Sequence, residues 1–161
     1  MYYPYSRDEF EFYWIIENEI AGSSLIHNKS SVDILKTNNV KIVVSLTYPK
    51  EVAELLKGTE ITHIQLPIPD FGVPDNEIVE NFVSISKMAK ENNQPLLVHC
   101  YAGCGRTGVM LAVYLMKTYN YTYEKSLKKI RSIRECAIES KNQHDFLKKM
   151  NSAQRKLKDF L

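Results

Sequence analysis

A cysteine, three glycines and an arginine crowded into HCYAGCGRTG, from His99 to Gly108, constrain this chain more than any other feature. A short apolar run, Pro95 to Val98, leads into the segment. An almost wholly apolar stretch without Pro or Gly, Val109 to Tyr119, follows it. That order predicts a buried strand, a tight loop and a buried helix. The first N–H groups of a helix have no intrahelical partner, so together with the loop amides they converge on whatever sits at the helix mouth, and an anion suits that position. Gly103, Gly105 and Gly108 let the loop curl its N–H groups inward, where a Cβ would obstruct.

Cys100 opens this loop, six residues before Arg106. The helix dipole and the guanidinium both favour the thiolate, so the sulfur is expected to be charged and nucleophilic at neutral pH. The planar fork of Arg106 can bind two oxygens of a phosphate, while the backbone of Tyr101, Ala102, Gly103, Cys104, Gly105 and Arg106 binds the rest. One loop thereby holds electrophile and attacking sulfur. A nucleotide-binding GxxxxGK[ST] loop fits worse, because Arg106 stands where lysine is needed and the glycine spacing differs. A zinc site drawn from His99, Cys100, Cys104 and Cys136 lacks the spacing of paired CxxC knuckles. Neither metal nor cofactor is expected.

Residues 99–107 resemble the active-site pattern of the cysteine-dependent protein phosphatases, HCxxGxxR[ST], at every fixed position: His99, Cys100, Gly103, Arg106 and Thr107. The compact length is similar to that of the small atypical members of the dual-specificity branch, and the resemblance runs from about Trp14 to Phe146. It implies hydrolysis of phosphotyrosine, and of phosphoserine or phosphothreonine in addition, through a phosphocysteine intermediate, with phosphorylated proteins as partners. Two rival readings share the loop. A phosphoinositide or other small-phosphomonoester phosphatase would use the same chemistry, but such enzymes often carry loop lysines where Tyr101, Ala102 and Cys104 are uncharged. A catalytically idle phosphate-binding module usually loses the cysteine or the acid, and this chain keeps both.

The leaving oxygen needs a proton, and a carboxylic acid on a mobile loop is the usual donor. LPIPDFGVPD offers Asp70 and Asp75. Asp70 follows a predicted strand, Ile61 to Leu66, in a loop punctuated by Pro and Gly. Asp75 immediately precedes the amphipathic run from Ile78 to Ala89 and is better placed as a helix N-cap. Asp70 is therefore the expected general acid and, once ionised, the base that activates water. The resemblance agrees, because small dual-specificity enzymes carry their acid in a similar IPD segment. It also gives Thr107 a hydrogen bond to the departing sulfur; a helix-capping hydroxyl is the plainer account, and the two are compatible.

Further on, IRSIRECAIESKNQHDFL resembles the family segment RPGxxE[TS] followed by a water-orienting glutamine, with Arg134, Ala137, Ile138, Glu139, Ser140 and Gln143 at matching positions. Glu135 and Cys136 replace the usual Pro and Gly, which leaves this loop less rigid. SxxQ before an apolar-periodic helix also reads as a capping box, so Gln143 has two candidate roles. His99 stands where the family buries a histidine that supports the loop. Cys104, four residues after Cys100, is a candidate resolving thiol for an oxidised Cys100.

With charged residues a quarter of the chain and a net charge of +2, composition argues against a strongly basic nucleic-acid binder. Lys148, Lys149, Arg155, Lys156 and Lys158 read as a solvated helical face. Three cysteines, an odd number, and a thiolate-dependent site point to a reducing compartment, the cytoplasm. MYYPYSRDEF has no apolar core and reads as neither signal peptide nor anchor, and no apolar run approaches a membrane span. A monomer is expected, with residues 1–161 as one domain.

Strands at Phe12–Ile16, 19–22, 40–46, 61–66 and 95–99 alternate with helices near 28–38, 51–56, 76–91, 109–119, 123–133 and from 141 onward. This predicts an α/β fold: a central, mostly parallel sheet flanked by helices, with the phosphate loop between a strand and a helix. Ligands of such sheets bind beyond the carboxyl ends of the strands, where Cys100 and the Asp70 loop meet.

Overall fold

The computed structural model describes residues 9–48 and 50–161. Most of the N-terminal segment read above as neither signal peptide nor anchor lies outside the described residues.

Five strands form one sheet in the order β1-β2-β5-β3-β4. They are β1 (Phe12–Ile16), β2 (Ile20–Ser23), β3 (Ile42–Ser45), β4 (Thr62–Gln65) and β5 (Leu96–His99). β1 and β2 form an antiparallel hairpin, and all other pairings are parallel, as the strand–helix alternation predicts. The hairpin turns at Asn18 with φ 62°, a left-handed conformation that asparagine tolerates. The strands are up to three residues shorter than the apolar runs that mark them, because Val40 and Leu46, for instance, stay buried beyond the ladder.

Six helices complete the chain: α1 (Lys29–Thr37), α2 (Lys50–Leu56), α3 (Asn76–Glu91), α4 (Gly105–Tyr119), α5 (Tyr123–Ile133) and α6 (Lys141–Phe160). Their starts follow the expected caps. Asn28 caps α1 in a capping box with Ser31, and Asp75 accepts from the Ile78 N–H at the start of α3. Asn39, Asn93 and Asn120 carry the chain out of α1, α3 and α4 at positive φ. Among the described residues no helix is long and apolar enough to cross a membrane.

Alternation along the strands splits the core in two. Ala21, Val43 and Leu97 pack with Val32 and Leu35 of α1 and Val52 and Leu56 of α2. Ile20, Ile42, Val44, Leu96 and Val98 face the other way, toward Phe82, Ile130, Leu147 and α4. Residues Gly105 to Met116 of α4 are all buried, which explains why its sequence is apolar around the whole circumference. Ser23, His99, Ser45 and, across β3, Gln65 share one register row, so β2, β5, β3 and β4 end together. The candidate site begins at that row.

Candidate active site

Cys100 follows the last residue of the central strand and is 3% exposed. Behind it, each carbonyl from Cys100 to Cys104 is engaged. His99 Nδ1 donates to Cys100 O at 3.0 Å, and the Leu25 N–H donates to Tyr101 O at 2.9 Å. Arg134 Nη2 reaches Ala102 O at 2.7 Å, and the Tyr13 hydroxyl reaches Gly103 O at 2.7 Å. Cys104 O accepts from Gly108 at 2.8 Å and from Ile138 at 3.3 Å. In a trans peptide the N–H points opposite the C=O. Carbonyls held on one side of the loop leave the amides of Tyr101, Ala102, Gly103 and Cys104 to the other, as an anion cradle requires.

One amide departs from expectation. The Gly105 N–H is taken by the Glu139 carboxylate at 2.8 Å, so a negative group from the α5–α6 loop already sits at the first residue of α4.

Sequence reasoning missed Tyr13. Its ring lies over Gly22, where an added Cβ would come within 2.5 Å of the phenol, and the Arg134 guanidinium lies 5.5 Å from its ring centroid on a third element. Burial, then the neighbouring Cys100, pushes the phenol well above its ordinary value, so it remains a donor. Gly103 is fixed from the opposite direction: φ is +71° and a Cβ would meet the Ser23 backbone at 2.7 Å. The signal available in sequence was Gly22 itself, a glycine inside a strand that marks a close approach.

His99 is fully buried, and desolvation lowers its pKa to about 4 despite the bond to Cys100 O. It is neutral in the fold at neutral pH, in keeping with a supporting role. Because the unfolded imidazole titrates near 6.5, the unfolded chain binds more protons between the two values, and stability falls as pH drops through that window. From pH 6.5 to 4 this residue should remove on the order of 3 kcal/mol. Urea unfolding across that range should show the loss, with a shallower slope in His99→Asn.

Arg106 is 7% exposed and spans the mouth of the site. Nη1 donates to Ile68 O at 3.0 Å and more weakly to Leu46 O at 3.5 Å, while Nη2 lies 3.5 Å from Asp70 Oδ1. Asp70 is 46% exposed, so the expected acid and the expected phosphate ligand meet at the solvent edge of the cradle. The loop behind Asp70 is braced by α6. Ser140 Oγ donates to Phe71 O at 2.8 Å, and Gln143 Nε2 donates to Gly72 O at 3.2 Å. Phe71 adopts φ 60°, a left-handed conformation held between these contacts.

Gln143 also completes the capping box, its Oε1 accepting from the N–H groups of Glu139 and Ser140 at 2.8 and 3.1 Å. The amide is buried beside Gly105 and braces the loop, as the capping account expects. Thr107 lies in the first turn of α4, fully buried. Its Oγ1 has no hydrogen-bond partner among the described residues, so the capping bond considered from sequence is not made. An orphan buried hydroxyl costs about 1–3 kcal/mol.

Cys104 is not free to resolve Cys100. It is disulfide-bonded to Cys136, and Cys100 alone remains a thiol. The α5–α6 loop, expected to be slack without Pro and Gly, is tied by this bond and by Arg131, which donates to Ala137 O and Ile138 O at 2.9 Å each. Closing a 32-residue separation contributes on the order of 3–4 kcal/mol. Cys136→Ser should lower the unfolding midpoint by a corresponding amount, and reductant should do the same to wild type but nothing further to the variant. Under mild peroxide Cys100 should pass to sulfinic acid with no Cys100–Cys104 bridge, as mass spectrometry can read.

The fold and site together define an α/β protein with a backbone cradle, a buried thiol and a guanidinium at one strand end. Residues 21–120 match the family model described as "Polymorphic toxin system, DSP-PTPase phosphatase". The chain belongs to that family, in the dual-specificity branch of the cysteine-dependent protein tyrosine phosphatases. It is similar to the dual specificity protein phosphatase CDC14A of Mus musculus, at 32% identity over 169 residues, covering 94% of this chain and 27% of the relative. The chain thus spans about a quarter of the length of the curated relatives it matches. Solved structures share the fold. Tk-PTP in the active form superposes with a TM-score of 0.79 at 22% identity, covering 88% of this chain and 96% of that one. PTPMT1 superposes with a TM-score of 0.78 at 22% identity, covering 92% and 99%.

Proposed function

We propose that the chain is a metal-independent protein phosphatase acting on phosphotyrosine, and on phosphoserine or phosphothreonine in addition, through a phosphocysteine. The observation that carries this reading is the meeting of a buried Cys100, inward-facing loop amides and the Arg106–Asp70 pair at one strand end.

The phosphoryl oxygens occupy the N–H groups of residues 101–106 and the Arg106 fork, with Glu139 yielding the Gly105 N–H as the dianion enters. Asp70 is thereby released from the guanidinium to face the leaving oxygen. The Cys100 thiolate attacks phosphorus, the bond from phosphorus to the ester oxygen breaks, and Asp70 gives its proton to the leaving oxygen. The carboxylate then takes a proton from water as the water oxygen bonds to phosphorus. The S–P bond breaks, and the Thr107 hydroxyl, otherwise unpartnered among the described residues, hydrogen-bonds to the departing sulfur. Gln143 holds the Asp70 loop and has a second Nε2 hydrogen with which to orient that water.

The substrates are phosphorylated proteins, met by a monomer without nucleic acid or membrane; the Cys104–Cys136 disulfide removes the cysteine argument for a reducing compartment. Rapid acid quench of para-nitrophenyl phosphate turnover, with and without EDTA, tests the reading. Phosphate on Cys100 and indifference to EDTA are expected; turnover with no phosphocysteine would overturn it. A panel of phosphotyrosine, phosphoserine and phosphothreonine peptides against phosphoinositides then separates substrate classes.

A further inference from the structure

Ser45 ends β3 beside His99, and its hydroxyl lies between two imidazoles. His99 Nε2 is 2.5 Å away on β5, and His63 Nε2 is 2.7 Å away on the edge strand β4. His63 is half-buried, so the series reaches from the rim of the sheet to the nucleophile.

The donors in this series can be assigned by inventory. A carbonyl only accepts, so the contact of His99 Nδ1 with Cys100 O at 3.0 Å requires a hydrogen on Nδ1. Burial keeps His99 neutral, which leaves its Nε2 bare and able only to accept. The single hydrogen of Ser45 must then point to His99. The contact between Ser45 and His63 is satisfied only if His63 donates from Nε2.

We propose that His63 is a positioning residue for the nucleophile: its Nε2–H heads a hydrogen-bond chain, relayed through Ser45 and His99, that ends on the Cys100 carbonyl and that it strengthens by polarisation. The proposal rests on the phosphatase reading only in taking Cys100 as the nucleophile. Reversing the chain would need a charged His99 in the core or the loss of its bond to Cys100 O, and burial opposes both. The neutral Nε2–H form and the imidazolium of His63 both donate at Nε2, so the chain survives the titration of His63 itself.

Successive bonds in one direction polarise one another, so donation at His63 strengthens donation at Cys100 O. That carbonyl belongs to the peptide whose N–H, at Tyr101, turns toward the cradle, and a more polarised peptide is a better donor there. The thiolate gains from both effects. Position 63 lies outside HCxxGxxR[ST], and only the β3–β4 pairing brings it to the site.

The experiment uses iodoacetamide on the full chain, with the modified cysteine identified by mass spectrometry, at a series of pH values. His63→Leu removes the donor, whereas His63→Gln keeps an N–H of similar reach. His63→Leu should move the midpoint of Cys100 alkylation upward by about half a unit to one unit, a roughly three- to tenfold slower reaction below the midpoint, and His63→Gln should follow wild type. A His63→Leu profile that overlays wild type, or a His63→Gln profile displaced equally, would overturn the proposal. Imidazole ¹⁵N spectra of the wild-type protein decide the matter independently of how the variants fold. His99 should carry its hydrogen on Nδ1 and neutral His63 on Nε2; the opposite tautomer at either one refutes the chain. Neither measurement needs a substrate, so a protein that shows this dependence without hydrolysing any phosphomonoester would sink the phosphatase reading and leave the chain in place.

Discussion

Cys100→Ser should fold like wild type, keep its affinity for phosphate and lose turnover by about four orders of magnitude or more. A serine nucleophile works only with a base to deprotonate it, and the neighbouring imidazole is committed elsewhere: His99 Nδ1 to Cys100 O and Nε2 to Ser45. A cysteine is intrinsically far more acidic and more nucleophilic than a serine and needs no such dedicated base. The cradle does not depend on the sulfur. Tyr13, Arg134 and Leu25 hold the loop carbonyls from outside, so the anion site should survive the change. Removing a negative charge from beneath a dianion should even tighten binding. Calorimetry with a phosphotyrosine peptide and steady-state hydrolysis read the two halves of this expectation, and residual turnover within tenfold of wild type would exclude Cys100 as nucleophile.

Asp70→Asn should lower kcat by about 10²- to 10⁴-fold on substrates with poor leaving groups, and far less on activated esters whose phenolate departs unaided. The contrast comes from Asp70 acting at the leaving oxygen and not on the phosphoryl group. Asparagine preserves the size of the side chain 3.5 Å from Arg106 but removes both its charge and its transferable proton. Wild type should give a bell-shaped pH profile with the thiolate on one limb and the protonated acid on the other. The variant should lose the alkaline limb. A loss uniform across leaving groups in kcat/KM, which reports the phosphoryl transfer to Cys100, would remove Asp70 from the role of acid to the leaving oxygen.

The fold was largely legible because its signals are local. The elements follow runs of apolar residues, and three helices start at caps that stand out in the sequence, Asn28, Asp75 and Ser140. The loop was legible for the same reason, since its cysteine, glycines and arginine are contiguous. What escaped depends on contacts between distant segments. Tyr13 is one aromatic among several until the hairpin carries it to Gly103, and His63 is an ordinary strand residue until β4 pairs with β3. Cys136 was read as a missing glycine, yet its partner is Cys104. Spacing alone assigned Cys104 to Cys100, and the α5–α6 loop approaches from a direction that spacing does not encode.

The hairpin has one more consequence. The bond that holds Gly103 joins residues 90 positions apart, and Arg106 reaches back 38 positions to Ile68. Long loops must close before such contacts form, so the cradle is expected to assemble late in folding, after the elements that flank it in sequence. A chain that has built only its local elements has the cysteine and the arginine but no concave ring of amides between them. Nascent or partly opened molecules should therefore be silent toward phosphate esters, with competence arriving together with the completed sheet.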